Sequence, residues 1–289
     1  MLKNYIRIYT EDFEKEVVDN EKQLVDKPSL KGLNFSYDGL DASEFETVLN
    51  KDSYVNMESQ IKIKYFYKKT LDLLMNGYYE EGLLKLNSLV GILKTEVYKY
   101  LRSSGKGSRV RFMGEYELCH PLNVAIVSGL IAKKLDFPIT AVDQVILAGL
   151  LHDIGKIKIN LVDSKAILTM NEEEVKEHTV IGYKLIRDEF ELPENIAKVA
   201  LEHHENNDGS GYPKGVSNDY ITEYSQIVNV ANYYDNLAFN RTSVPVSNNK
   251  EALRAMLEIG TSRFSAKMLY TFIHMFNYDD SRSFNDMMV

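Results

Sequence analysis

Leu122-Asn123-Val124-Ala125-Ile126-Val127-Ser128-Gly129-Leu130-Ile131-Ala132-Lys133-Lys134-Leu135 is the stretch whose reading decides the fold. Wound as a helix it is apolar on most sides, the pattern of a helix at the centre of a bundle. Pro121 suits a first helical turn, which predicts a start near His120. Asp143 to Ile154 has the same all-round apolar character. Moving outward, Glu172 to Phe190 is amphipathic, with Val175, His178, Ile181 and Leu185 three or four apart. Glu194 to Glu205, Glu223 to Leu237, Glu251 to Ile259 and Ala266 to Phe276 read as further helices. No useful strand alternation occurs beyond residue 115. The expected fold is all-α, with about 170 residues around one core, a comfortable size for one domain.

Upstream, Ile61, Tyr65, Leu71, Leu74 and Met75 sit mostly at helical spacing, and Asn76-Gly77 breaks the run. Leu83, Leu86, Val90, Leu93, Val97 and Leu101 continue on a second helix. Residues 60–104 are therefore expected to form a helical hairpin that either docks on the downstream helices or makes a homodimer contact. Residues 1–58 are polar and acidic. Tyr5 to Tyr9 alternates as one strand, so a small α+β or partly ordered segment is expected there. Ser103 to Ser108 reads as a linker. Its Gly-Lys-Gly-Ser string is not a phosphate loop, because the first glycine of that spacing is missing and a helix precedes it. The expected division is an N-terminal region, 1–104, that regulates or dimerises the protein, and a helical domain, 110–289.

The chain has 289 residues and a net charge of −8. That argues against binding a nucleic-acid polymer, which needs a basic surface, but leaves room for a small anion held by local cations. A single cysteine, Cys119, rules out an internal disulfide and reads as a small buried thiol. No secretory signal and no bilayer-length apolar run is seen, so a cytoplasmic protein without membrane insertion is expected.

Five of the six histidines, His120, His152, His178, His203 and His204, fall in or beside these apolar helical stretches, and Asp153 follows His152. One inward histidine is more often a hydrogen-bonded core residue than a ligand. A core holding five of them without a metal would need five separate sets of partners. The group therefore suggests a metal site, with consecutive pairs near helix ends facing one cavity. Lys156, a turn after His152, can reach a phosphate as a point charge. The glycines and proline of Gly209-Ser210-Gly211-Tyr212-Pro213 define a tight loop that presents Tyr212. His274 lies apart and reads as structural.

Taken together, His120, His152-Asp153-Ile154-Gly155-Lys156, His178, His203-His204-Glu205 and Asp208-Gly209-Ser210-Gly211-Tyr212-Pro213 resemble the HD-GYP family of the HD phosphohydrolase superfamily. Ile167-Leu168-Thr169 and Glu172-Glu173-Glu174 look like its connecting segment. The resemblance covers about residues 110 to 275. It implies an HD-type helical bundle that hydrolyses cyclic di-GMP to the linear dinucleotide, GMP or both. It also implies two or three divalent ions, usually iron or manganese. GGDEF-type or other signalling proteins are the partners it suggests. The ligands it implies are His120, His152, Asp153, His178, His203 and His204. Lys156 and Arg241 would contact substrate phosphate and Tyr212 would line the pocket, with Asp153 and Lys156 in catalytic roles.

Three positions depart from the family pattern. Asn232, in Asn232-Tyr233-Tyr234-Asp235-Asn236-Leu237, stands where the family has its last metal-binding Asp. An amide oxygen there is a neutral, weaker donor. Tyr116 occupies the position of a Glu found in three-metal members, so two ions are expected. Thr242-Ser243-Val244 after Arg241 removes a second basic residue. These departures leave two other readings open: a weak or inactive cyclic di-GMP sensor, and an HD phosphohydrolase acting on another nucleotide.

Overall fold

The structure, a computed structural model, describes residues 57–102, 111–112, 114–158, 172–239, 241–242, 244 and 249–276. The strand expected at Tyr5 to Tyr9, the linker Ser103 to Ser108 and the segment Ile167 to Thr169 lie outside them. The described residues are helical: α1 Met57–Met75, α2 Tyr79–Arg102, α3 Tyr116–Lys134, α4 Ile139–Leu151, α5 Gly155–Lys158, α6 Glu172–Lys184, α7 Glu194–Glu202, α8 Glu223–Ala238, α9 Asn249–Ile259 and α10 Ala266–Met275. A π-helical turn, Leu185–Glu189, extends α6. Among these residues no helix is long and apolar enough to cross a membrane.

α3 and α4 are the central pair. Leu122, Val124, Ala125, Ile126 and Ile131 of α3 are fully buried, as are Val142, Val145, Ile146 and Ala148 of α4. Their backbones meet at Gly149, where a Cβ would lie 2.7 Å from Ala125 Cα. A side chain there would hold the two helices apart and open the core between them.

α3 starts at Tyr116, four residues before the expected position, with Glu115 at its N-cap and Pro121 inside the helix. Leu118 and Cys119 both donate to the Glu115 carbonyl, so the first turn forms before the proline is reached. The other end is closed by Asp136 in the left-handed region (φ 58°). Phe137 N–H bonds Ala132 O at 3.1 Å and Asp136 N–H bonds Lys133 O at 3.1 Å, which satisfies carbonyls that the helix leaves unpaired. Cys119 is buried and reduced, and burial pushes its thiol up to about 11.

The hairpin α1–α2 docks on this core. Leu86, Leu89, Val90, Leu93 and Val97 of α2 are buried in the same apolar cluster as α3 and α4. The face of α1 agrees with the expected one in part, since Leu74 is buried and Leu71 packs against the core. Ile63, Tyr67 and Leu74 point inward, whereas Ile61 and Met75 are exposed. The inward side carries Tyr67, whose hydroxyl donates to Leu150 O at 3.1 Å at the end of α4. A phenol buried that deeply must find an acceptor, and that bond is met with Tyr67 turned inward. A buried ion pair, Lys94 Nζ to Asp143 Oδ1 at 3.1 Å, ties α2 to α4 as well.

Candidate metal centre

α4 stops at Leu151, and His152, Asp153 and Ile154 form the turn into α5. His152 Nδ1 reaches back to Gly149 O at 2.7 Å, one of the carbonyls the helix end leaves open. His203 does the same at the end of α7, with Nδ1 at 3.0 Å from Ala200 O and 3.1 Å from Val199 O. On α6, His178 Nδ1 lies 2.6 Å from Val175 O. A carbonyl only accepts, so each Nδ1 carries the proton and each Nε2 presents a lone pair. His120 reaches the same state through a carboxylate, since its Nδ1 lies 2.7 Å from Asp235 Oδ2.

These lone pairs face one another. His178 Nε2 and His203 Nε2 are 3.4 Å apart, and Asp153 Oδ1 lies 3.2 Å from the first and 3.6 Å from the second. On the other side His120 Nε2 and His152 Nε2 are 3.2 Å apart, with Asp153 Oδ2 at 3.7 Å and 3.3 Å. Asp153 therefore gives one oxygen to each cluster. His204 joins the first, and within each set the ligand atoms all lie within 4.8 Å of one another.

Acceptors packed this closely repel unless a cation sits among them. Asp153 Oδ1 is buried and completes no hydrogen bond, which is costly for a carboxylate oxygen. Protons do not resolve the conflict, because burial drives the ring of His203 down to about 3 and lowers those of His120 and His204 as well. Burial alone would raise Asp153, but Lys156 and His152 outweigh it and hold the carboxyl well below the usual range. The donor set, imidazole nitrogens with one shared carboxylate, suits divalent iron, manganese or zinc. The residues present therefore fit a pair of divalent ions.

Gly155 makes this convergence sterically accessible. A Cβ on it would lie 2.0 Å from His178 O and 2.7 Å from Gly182 N, so α5 and α6 touch backbone to backbone. Gly155→Ala is expected to push His178 away from Asp153 and to lower stability by about 3 kcal/mol through overpacking. Denaturant unfolding of the two proteins measures that.

The remaining predicted residues surround this pair of clusters. Lys156 Nζ is hydrogen-bonded to Asp153 Oδ2 at 2.5 Å. Tyr212 stacks on His204, with centroids 4.6 Å apart and rings 18° from parallel. Glu205 is buried and its carboxylate accepts Lys214 N–H at 2.7 Å and Val216 N–H at 3.1 Å, which pins the loop that carries Tyr212. Asn232 is buried on α8, and its Oδ1 accepts Asn236 Nδ2 at 2.7 Å. Tyr116 stacks on His120 at 4.7 Å, donates its hydroxyl to Asn236 Oδ1, and carries the Arg241 guanidinium over its ring at 4.5 Å. Arg241 itself is exposed, and so is His274 on α10, away from the cluster.

The profile of the HD domain family matches residues 118–237, the span from α3 to α8 that holds every histidine of the two clusters. By that match this segment resembles an HD domain. The chain is 34% identical over 163 residues to a cyclic di-GMP phosphodiesterase of Thermotoga maritima, a match covering 54% of this chain and 44% of that protein. It is 31% identical over 153 residues to the cyclic di-GMP phosphodiesterase PA4108 of Pseudomonas aeruginosa, covering 52% and 37%. The chain thus spans less than half the length of these curated relatives. Among solved structures, Bd1817 of Bdellovibrio bacteriovorus, described as an HDG"Y"P protein, has the same fold. The TM-score is 0.57 at 15% identity, over 81% of this chain and 76% of that one. Around the two clusters, sequence reasoning missed the roles of Asp235, Asn123, Tyr116 and Glu205. For Asp235 a signal existed, since it lies one turn from Asn232 on the buried face of α8.

Proposed function

We propose that the chain is a metal-dependent phosphodiesterase that hydrolyses cyclic di-GMP to the linear dinucleotide, GMP or both. The observation that carries this is the single carboxylate, Asp153, shared between two clusters of unprotonated imidazole nitrogens. His120, His152 and Asp153 would hold one divalent ion, iron or manganese by expectation, and Asp153, His178, His203 and His204 the other. Asn232 is a neutral donor whose oxygen already accepts one hydrogen bond. Bound cations supply Lewis acidity toward a phosphodiester oxygen and an attacking water.

The chain's own groups do the rest. Lys156 holds Asp153 in place and can turn its ammonium from that carboxylate to an incoming phosphate, since its side chain is 27% exposed. Arg241 stands beside Tyr116 at the His120 side, where an anion would meet it. Tyr212 offers an aromatic face near His204 on which a base can stack, and burial raises its phenol so that it stays a hydrogen-bond donor. Residues 110–289 would carry the reaction, and the docked hairpin would transmit whatever residues 1–104 sense. Full-length protein loaded with Mn2+ and incubated with cyclic di-GMP, with products separated by chromatography, tests this. An unchanged cyclic dinucleotide at full loading would sink the enzyme reading.

The sensor reading is favoured by one observation, the neutral and already occupied oxygen of Asn232. Asn232→Asp is expected to tighten binding of the weaker ion by about 10-fold, as a carboxylate replaces an amide on a hard cation. Metal titration by calorimetry reads that directly. Turnover appearing only in the variant would mark the natural protein as a sensor.

A further inference from the structure

Asp235 is buried on α8, and three groups address its carboxylate. Oδ2 lies 2.7 Å from His120 Nδ1. Oδ1 accepts Asn123 Nδ2 at 3.0 Å. The same Oδ1 lies 3.6 Å from Arg111 Nε, whose guanidinium stacks over Phe239 at 4.4 Å. Arg111 belongs to none of the helices. With Phe112 it forms the short described stretch between the hairpin and α3, and contacts from both sides hold that stretch by its backbone. Asn123 Oδ1 accepts Phe112 N–H at 2.7 Å, and Asn123 Nδ2 donates to Phe112 O at 3.2 Å. From the hairpin side, Gln60 Nε2 on α1 donates to Arg111 O at 3.2 Å.

We infer that Arg111 is a positioning residue linking the seating of the hairpin to the ion site at His120, through Asp235; the inference rests on the two-ion reading above. The physics is that of a carboxylate behind a metal-binding histidine. Asp235 keeps the proton on His120 Nδ1 and so keeps the Nε2 lone pair aimed at His152 and Asp153. An anion buried this deeply needs a cation beside it. Arg111 supplies that charge, and Gln60 fixes where the residue bearing it stands. A shift of α1 moves the guanidinium relative to Asp235 and changes the orientation of His120. At His178 and His203 backbone carbonyls stand at Nδ1 instead of a carboxylate, so the effect is expected at one of the two sites.

The test is titration of metal-free, full-length protein with Mn2+, followed by calorimetry. With three donors against four, the His120 site is the second to fill. In Arg111→Met, which keeps the apolar stem, the second Mn2+ is expected to bind about 10- to 100-fold more weakly, with the first within about twofold of the unmodified protein. Arg111→Lys is expected to recover most of the loss. Gln60→Ala, which removes the bond to Arg111 O, is expected to weaken the same step about 2- to 10-fold. It serves as well if Arg111→Met fails to fold. Equal weakening of both steps, or no change in either variant, overturns the inference. One equivalent or none in the unmodified protein overturns the two-ion reading and this inference with it. Two tight equivalents in every protein overturn the inference alone.

Discussion

Asp153→Asn is expected to reduce the proposed cyclic di-GMP hydrolysis by on the order of 10³-fold or more, since it would remove several kcal/mol of charge stabilisation where two cations would meet. The variant changes one oxygen to an NH2 group and leaves the size of the side chain alone. Asp153 addresses His178 and His203 with one oxygen and His120 and His152 with the other, so no amide orientation can serve both clusters. One side would meet an NH2 group where it needs a lone pair. Metal content should therefore fall from two ions toward one, with the fold intact by circular dichroism. Activity and elemental analysis on the same sample check this together. Activity retained within about tenfold would mean that the shared carboxylate is not what organises the reaction.

Lowering the pH from 7 to 5 is expected to destabilise the metal-free protein steeply. The cause is the depressed affinity of the buried rings for protons. His203 is fully buried and burial lowers it to about 3; His120 is lowered for the same reason, partly opposed by Asp235. In the unfolded chain such rings take up a proton near the ordinary value of about 6.5. Below that pH the unfolded state binds more protons than the folded state, so stability falls as pH falls. The contribution of His203 is complete above about 6.5 and is lost progressively toward about 3. A ring held as low as His203 costs up to about 1.4 kcal/mol per pH unit inside that window, and His120 acts in the same direction. That is a large share of a typical stability of about 5 to 15 kcal/mol. Asp153 adds nothing in this range, because its carboxyl is held below the usual value and titrates only at more acid pH. Bound Mn2+ should shift the acid transition downward, since ions bind only the unprotonated rings. Thermal melts at pH 7, 6 and 5, with and without Mn2+, measure both effects. A melting temperature flat across that range would show that the rings take up protons in the fold as readily as in the unfolded chain.

The core helices were legible because their signal is local. Leu122 to Leu135 is apolar around its whole circumference, and only a central position buries all of it. The histidines were legible in kind, since His152-Asp153 and His203-His204 are adjacent pairs at helix ends. Less was visible on the hairpin. Ile61 and Ile63 are equally apolar, and which one faces inward goes with the bond from Tyr67 to Leu150, 83 positions away. The early start of α3 was hidden because Pro121 suggests a first turn, whereas Glu115 provides the carbonyl that forms it. Asp235 was visible as a carboxylate one turn from Asn232, yet helical spacing gives only its direction. That it stands behind His120, and not among the ligands, depends on how α8 lies against α3.

By itself the amino-acid sequence determined that the chain builds a helical bundle, and which imidazoles and which acid group lie in its apolar stretches. Periodicity and adjacency are properties of neighbouring residues, and they survive without any knowledge of packing. Only the tertiary structure decided that one carboxylate divides its oxygens between two sets of rings, that Tyr116 covers His120, and that Arg111 stands behind Asp235. Those relations join residues far apart in the chain, Arg111 and Asp235 among them, through the crossing of helices. A crossing angle is set by the summed fit of many side chains, and no single stretch of sequence records it.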